Sequence, residues 1–263
     1  MLLDIVIIVL RETLEASVLI GVLLSVSRHT DINLLWIFPA MILGTAAALF
    51  YALSLGEISE WFDYAGQEVI NAGMQYIIYA LLGCIVCLLF SIEKLRRKYL
   101  KGLMVAAVAM AMVREGSELF VFYTAFLSQP GSALQAATSG FIGLSVGVSA
   151  GVIGYYALVT QKPFVAKAFQ AVLLVLIGTG MAMQATQLLI QVDWISVNEP
   201  VWDSSWLVAE ASATGQVLYA VFGYEATPSM IEIILYFISM AMILGSVMLL
   251  NFFTKNSNNE VKP

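Results

Sequence analysis

Residues 2–27 read LLDIVIIVLRETLEASVLIGVLLSVS. A bilayer crossing needs about 20 mainly apolar residues, and this segment supplies them, yet Arg11, Glu12 and Glu15 stand near its middle. Residues 102–127, GLMVAAVAMAMVREGSELFVFYTAFL, place Arg114, Glu115 and Glu118 in the same way. Both segments therefore carry R-E-x-x-E inside an apolar helix. A charged side chain at the centre of a spanning helix costs roughly 2.5–3.5 kcal/mol, so six left unpaired would cost on the order of 15–20 kcal/mol. Mutual pairing, a water-filled cavity or a cation passing through could offset that cost.

The 263 residues are 60% hydrophobic and 11% charged, with a mean hydropathy of +0.89. That composition implies an integral membrane protein. Residues 1–10 have no basic n-region, Asp4 is acidic and no A-x-A-like site follows, so the first span is expected to be retained rather than cleaved. The two cysteines, Cys84 and Cys87, lie inside an apolar stretch. They read as small hydrophobes, since no second pair or histidine completes a metal site.

Seven spans are predicted, near 2–27, 33–55, 68–91, 102–127, 134–159, 164–190 and 229–253, making an all-α polytopic bundle. Apart from Arg11 and Arg114, the cations Arg28, Lys94, Arg96, Arg97, Lys98, Lys101, Lys162, Lys167, Lys255 and Lys262 all fall on one side of these spans. The positive-inside rule makes that side cytoplasmic, with the N-terminus outside and the C-terminus inside. The opposite side collects Asp4, Glu57, Glu60, Asp63, Glu68, Asp193, Glu199, Asp203, Glu210 and Glu225. The formal net charge of −6 thus divides into a basic inner face and an acidic outer face that would concentrate cations.

The halves also match each other. Arg11 corresponds to Arg114 at an offset of 103, the run 50–53 resembles 155–158 at 105, and Met74-Gln75 resembles Met183-Gln184 at 109. Three helices per unit invert the second copy relative to the first. The expected organisation is repeat 1 over 1–91, a basic cytoplasmic loop over 92–101, repeat 2 over 102–190, an outer segment over 191–228, a seventh span over 229–253 and a cytoplasmic tail over 254–263. At 1.5 Å per residue both motifs reach the midplane, where inverted-repeat transporters bind their substrates. Gly143, Gly147 and Gly151 recur every four residues in the fifth span, with a weaker small-residue face at Gly44 to Ala48 in the second. Such faces allow close helix packing.

On a helix the two glutamates of each motif share a face, and the arginine lies four residues before the second glutamate. Two motifs brought together would present four carboxylates, hard oxygen ligands suited to small, highly charged cations. Two arginines and four glutamates sum to −2, which a divalent ion, protons, or a trivalent ion with one residual charge could balance. Pairing for packing alone is a poor account of two motifs at matched depth, because buried ion pairs stabilise less than apolar packing.

On these motifs the chain resembles the oxidase-dependent iron transporter family, the iron permeases of bacterial inner membranes and fungal plasma membranes. The likeness extends to 201–205, Phe222-Gly223-Tyr224 and Pro228-Ser229, which resemble the bacterial branch. It implies seven helices with the N-terminus outside, and iron, ferric or ferrous, as substrate with no permanently bound cofactor. It also implies Glu12, Glu15, Glu115 and Glu118 as metal ligands, with Arg11 and Arg114 as supporting charges. The commoner R-E-G-L-E wording is altered at Thr13 and Ser117, which keeps every charge, and the acidic outer-loop motif of the fungal branch is not found. A periplasmic iron-oxidising or iron-delivering protein is the partner that the resemblance suggests, together with the lipid bilayer and no nucleic acid.

Further candidates lie toward the outer side. Glu57, Glu60, Asp63 and Glu68 would stack along one face if the second helix continued, forming a cation-collecting entrance. Met74, Gln75, Met183 and Gln184, with Gln187 beyond, could line a path by thioether sulfur and amide oxygen. His29 is expected to be an inner surface histidine. The segment 191–228 is too long for a plain connector, and Trp194, Trp202 and Trp206 suit the membrane interface; from Ser204 to Gly223 an interfacial or re-entrant helix is expected. No G-x-x-x-x-G-K-[ST] motif occurs, nor a nucleophile–base pair that would suggest an enzyme. The reading is therefore a permease moving iron inward. Another divalent metal such as lead or manganese is the alternative substrate, and a membrane sensor or scaffold for a periplasmic oxidase is the alternative class.

Overall fold

A computed structural model of the protein describes residues 2–91, 93–127, 133–197 and 199–260. The helices are α1 (Leu2–His29), α2 (Ile37–Ser59), a single turn α3 (Trp61–Tyr64), α4 (Gly66–Leu89), α5 (Glu93–Leu127), α6 (Ala133–Val159), α7 (Pro163–Gln191), α8 (Ala213–Phe222) and α9 (Met230–Glu260). Among the described residues there is no β-strand, only an isolated bridge between Pro200 and Ser229. The segments 34–59, 66–89, 133–159, 163–191 and 230–250 are long and apolar enough to cross a membrane. The remaining long helices, α1 and α5, are the two interrupted by charge.

The helices lie close to the spans expected, with three differences. Residues 93–101 are not a loop but the first turns of α5; Lys and Arg are good helix formers, so polarity there reflects surroundings rather than disorder. The expected tail 254–263 continues α9 as far as Glu260, and Lys262 lies outside the described residues. The second helix stops at Ser59, and Phe62, Asp63 and Tyr64 all take left-handed backbone angles. Glu57, Glu60 and Asp63 consequently do not stack on one continuous helix. The chain turns tightly enough for Gly66 to press on the Ile58 carbonyl, where a Cβ would have no room.

Neighbour pairing follows side-chain size. α1 packs on α6, α2 on α5 and α4 on α7. A Cβ at Gly143 would come within 2.7 Å of the Val6 carbonyl oxygen, one at Gly147 within 2.8 Å of Thr13 Cβ, and one at Gly151 within 2.5 Å of the Ser17 oxygen. In the matching pair a Cβ at Gly44 would lie 2.6 Å from Met112 Cβ, and one at Gly116 3.1 Å from Ala48 Cβ. Glycine thus brings the backbones of both motif-bearing helices against their supports. Where α4 meets α7, the Gln75 amide donates to Gln184 Oε1 at 2.7 Å. The turn between α1 and α2 is fixed by Trp36, whose buried indole N–H donates to Ser27 Oγ at 2.8 Å, and by Asn33, which caps the following turn through Leu35 N.

Below the motifs a large apolar cluster joins Leu19, Leu23 and Val26 of α1 to Ile78 and Leu82 of α4, Leu100, Met104 and Val108 of α5, and Leu174 of α7. At the other end α8 packs against α1 and α7. Ser212 caps its start by accepting from Gly215 N. Gly223 ends it in the left-handed region at φ 66°, and a Cβ on Gly180 would stand 2.9 Å from the Phe222 carbonyl carbon. Gly180 lies 11 residues before the end of α7, roughly 16 Å along the helix, so α8 reaches well into the bundle.

Replacing Gly151 by Leu should force α1 from α6 and lower stability by about 1–3 kcal/mol. Gly154→Leu should be neutral, since nothing lies within 4 Å of its Cβ position. Thermal unfolding of both variants in detergent checks the contrast, and equal midpoints would contradict the close α1–α6 contact.

Candidate metal-transport site

The two R-E-x-x-E motifs meet where α1 and α5 pack together. Glu12, Glu15, Arg114 and Glu115 are buried, while Arg11 and Glu118 are partly exposed. Arg114 is the hub. Its Nη1 lies 2.6 Å from Glu15 Oε2 and 2.8 Å from Glu115 Oε1, and its Nε lies 3.3 Å from Glu118 Oε1. Arg11 Nη2 lies 2.6 Å from Glu12 Oε1 and 3.8 Å from Glu118 Oε2. The arginine four residues before the second glutamate reaches it in α5. In α1, however, Arg11 turns to its neighbour Glu12 and to the facing helix, and Glu15 pairs with Arg114 instead. Two motifs thus form one interlocked set rather than two separate pairs.

Each arginine contact uses only part of a carboxylate. Glu12 Oε2, Glu15 Oε1 and Glu115 Oε2 are buried without a hydrogen-bond partner, which ordinarily costs about 1–3 kcal/mol apiece or more for a charged group. Glu12, Glu115 and Glu118 each offer an oxygen within 4.8 Å of the others. Oxygens bound to one ion at about 2.0–2.4 Å cannot be more than roughly 4–5 Å apart, so this trio has the spacing of a cation site. Glu15 stands outside the trio, held by the arginine.

One side of the set is open. A cavity of about 420 Å³ is lined by Gln67, Glu68, Asn71, Glu118 and Gln191. Asn71, whose side-chain oxygen accepts from the Tyr51 hydroxyl at 2.9 Å, was not legible as a site residue until this cavity joined it to Glu118. The signal available was a polar stripe, Gln67, Glu68, Asn71 and Gln75, at three- and four-residue spacing on an apolar helix. Of the other candidates, Glu57, Glu60 and Asp63 are exposed and do not line this cavity. Met74 packs with Tyr51, Leu55 and Ile58. Gln184 also donates to the Tyr219 carbonyl of α8 at 3.3 Å. His29 Nδ1 lies 3.0 Å from the Ser25 carbonyl and from Gln170 Nε2. Cys84 is exposed, with Cys87 a turn away.

Met183 lines a second cavity of about 300 Å³ with Trp202, Tyr224, Glu225 and Glu232. Here Glu225 accepts a hydrogen bond from Gln187. Burial first, then the nearby Glu210 and Glu232 carboxylates, pushes the Glu225 carboxyl up to about 7. A carboxyl raised in the folded state binds its proton more tightly there than in the unfolded chain, so stability falls as pH climbs from the ordinary range through 7.

A family model described as the iron permease FTR1 family matches residues 2–255. Among curated proteins, the ferrous iron permease EfeU of Escherichia coli is 23% identical over 254 residues, covering 88% of this chain and 90% of that protein. The protein of the same name from Yersinia pestis is 23% identical over 253 residues, covering 88% of each. No solved structure matches.

Between pH 5 and 8 the amides of 200–229 should lose protection against hydrogen exchange, after correction for the intrinsic pH dependence, and Glu225→Gln should flatten that loss. An unchanged pH profile in the variant would remove Glu225 as its cause.

Proposed function

The chain belongs to the iron permease FTR1 family, and from that premise we propose that it carries ferrous iron inward across a bacterial cytoplasmic membrane through the carboxylates of its two R-E-x-x-E motifs. The observation that carries this reading is the trio Glu12, Glu115 and Glu118, whose oxygens from two helices lie within 4.8 Å of one another. A divalent ion neutralises the −2 left by two arginines and four glutamates, and both relatives described above are named for ferrous iron. Glu15 acts as the fixed counter-charge of Arg114, and Arg11 as that of Glu12.

In this reading α1, α2, α4, α5, α6, α7 and α9 all span, with the N-terminus outside. The pairing pattern supports two inverted repeats: exchanging α1 with α5 and α2 with α6 converts the α1–α6 contact into α5–α2, and maps the α4–α7 contact onto itself. Gln75 and Gln184 would then meet at the pseudo-axis. The cavity at Glu68, Asn71 and Glu118 serves as the outer mouth, and a periplasmic protein that oxidises or hands over iron would act there, upstream of the carboxylates. The apolar cluster between the motifs and the basic end closes the inner side. Transport needs no nucleotide: an inside-negative potential of 100 mV supplies about 2.3 kcal/mol per charge, roughly 4.6 for a divalent ion, or about three orders of magnitude of accumulation.

Liposomes containing only this protein should take up ferrous iron saturably, faster with an inside-negative potential. Glu12→Gln, Glu115→Gln and Glu118→Gln should each reduce the rate by about tenfold or more, in the range by which loss of a group at a metal site lowers function. Wild-type flux through folded Glu115→Gln protein would refute the assignment.

A further inference from the structure

At the basic end of the bundle, α4 stops at Leu89 while α5 begins at Glu93 and α7 at Pro163. Lys167 Nζ lies 4.5 Å from the ring centroid of Phe90 in the α4–α5 turn. Arg96 is the charged neighbour of Lys167, and Arg96 Nε is shut from solvent without a hydrogen-bond partner. Among the described residues neither cation stands in an ion pair with an acid. Two like charges at the margin of an apolar environment repel each other, so their complement is an anion from outside the chain.

Apolar grooves lead away from this point on either side of α9. One, of about 380 Å³, runs between α4, α7 and α9 past Val86, Phe90, Val175, Leu244 and Val247. The other, of about 460 Å³, runs between α4, α5 and Leu250 of α9 past Cys87, Leu95 and Tyr99, and Lys98 Nζ lies 4.8 Å from the Tyr99 ring centroid. Along α9 the first groove extends from Met240 to Met248, about 12 Å, which is most of the roughly 15 Å depth of one leaflet. The arrangement is a cationic head above two apolar troughs, where the candidate spans of α4 and α7 end.

We propose that this end of the bundle is a binding site for an anionic phospholipid, with its phosphate held between Arg96 and Lys167 and its acyl chains in the grooves flanking α9. Cationic pockets between helices at the inner membrane surface bind such headgroups. A zwitterionic lipid can fill the troughs equally well but brings its own ammonium toward the two cations, so the charge pair rather than the groove sets the preference. Such a lipid would tie α9 to α4, α5 and α7 at the inner end.

Native mass spectrometry of the detergent-purified full chain, titrated with phosphatidylglycerol, with phosphatidylcholine of the same chains and with glycerol phosphate, tests this. Phosphatidylglycerol should be retained in preference to phosphatidylcholine, and glycerol phosphate should bind far more weakly because it lacks chains. Lys167→Gln and Arg96→Gln should each weaken phosphatidylglycerol binding about 5-fold and together about 25-fold, the effect of a basic side chain close to an anionic headgroup. Phosphatidylcholine retention should not change, and Lys101→Gln, at an exposed position, should have no effect. Lys167→Arg keeps the charge and should bind as wild type. Equal retention of the two lipids, unchanged binding in the double variant, loss in Lys167→Arg as well, or glycerol phosphate binding as tightly as the lipid would each overturn the proposal.

Discussion

The guanidinium of Arg114 is the interaction on which the rest of the bundle depends. It joins Glu15 of α1 to Glu115 and Glu118 of its own helix, and with its side chain only 5% exposed it has no water to fall back on. Removing one partner from such a buried set costs about 3–5 kcal/mol, because the remaining charge is left uncompensated. The set also constrains geometry: Arg114 can meet Glu15 only if α1 and α5 approach closely, and the glycine faces of α6 and α2 hold them there. The small residues of two helices are therefore a condition for the charges of two others.

The two motifs are alike in sequence but not in environment. The Arg11 side chain is 35% exposed and engages Glu12 strongly and Glu118 loosely, whereas Arg114 is enclosed. This asymmetry sets Glu15, paired with Arg114, apart from Glu12, Glu115 and Glu118, whose oxygens lie within 4.8 Å of one another. A symmetric cage of four would have had no such distinction, and nothing in the linear motif announces it.

Much of the fold was legible because membrane spans are written in uninterrupted apolar length, and the motif helices because their charge recurs at matched depth. The 109-residue offset between Gln75 and Gln184 anticipated a relation that the fold turns into a hydrogen bond. What the sequence obscured depended on tertiary context. The basic residues before Gly102 read as a loop although they favour helix. The break at Phe62–Tyr64 brings Gly66 close against Ile58, a turn that no periodicity encodes. Arg11 could reach Glu15 within one turn, yet Arg114 claims that carboxylate from across the interface, and a cross-helix partner cannot be read from the period of a single helix. The depth of α8 likewise rests on Gly180 and Gly223 meeting, two glycines 43 residues apart with no shared pattern.

The position of the carboxylates between a polar cavity and an apolar cluster limits how a cation could leave. In the proposed orientation the outer side reaches Glu118 through Glu68 and Asn71, while Leu19, Leu23, Ile78, Leu82, Met104 and Leu174 close the inner side. The roughly 4.6 kcal/mol that the membrane potential gives a divalent ion equals the cost of exposing only about 180 Å² of apolar surface at 25 cal/mol per Å². That is about two or three leucine side chains, far less than the whole cluster. Wetting the seal is therefore too expensive a route. A movement that exchanges one set of apolar contacts for another, as when one helix group rocks against the other, keeps the exposed area within that limit.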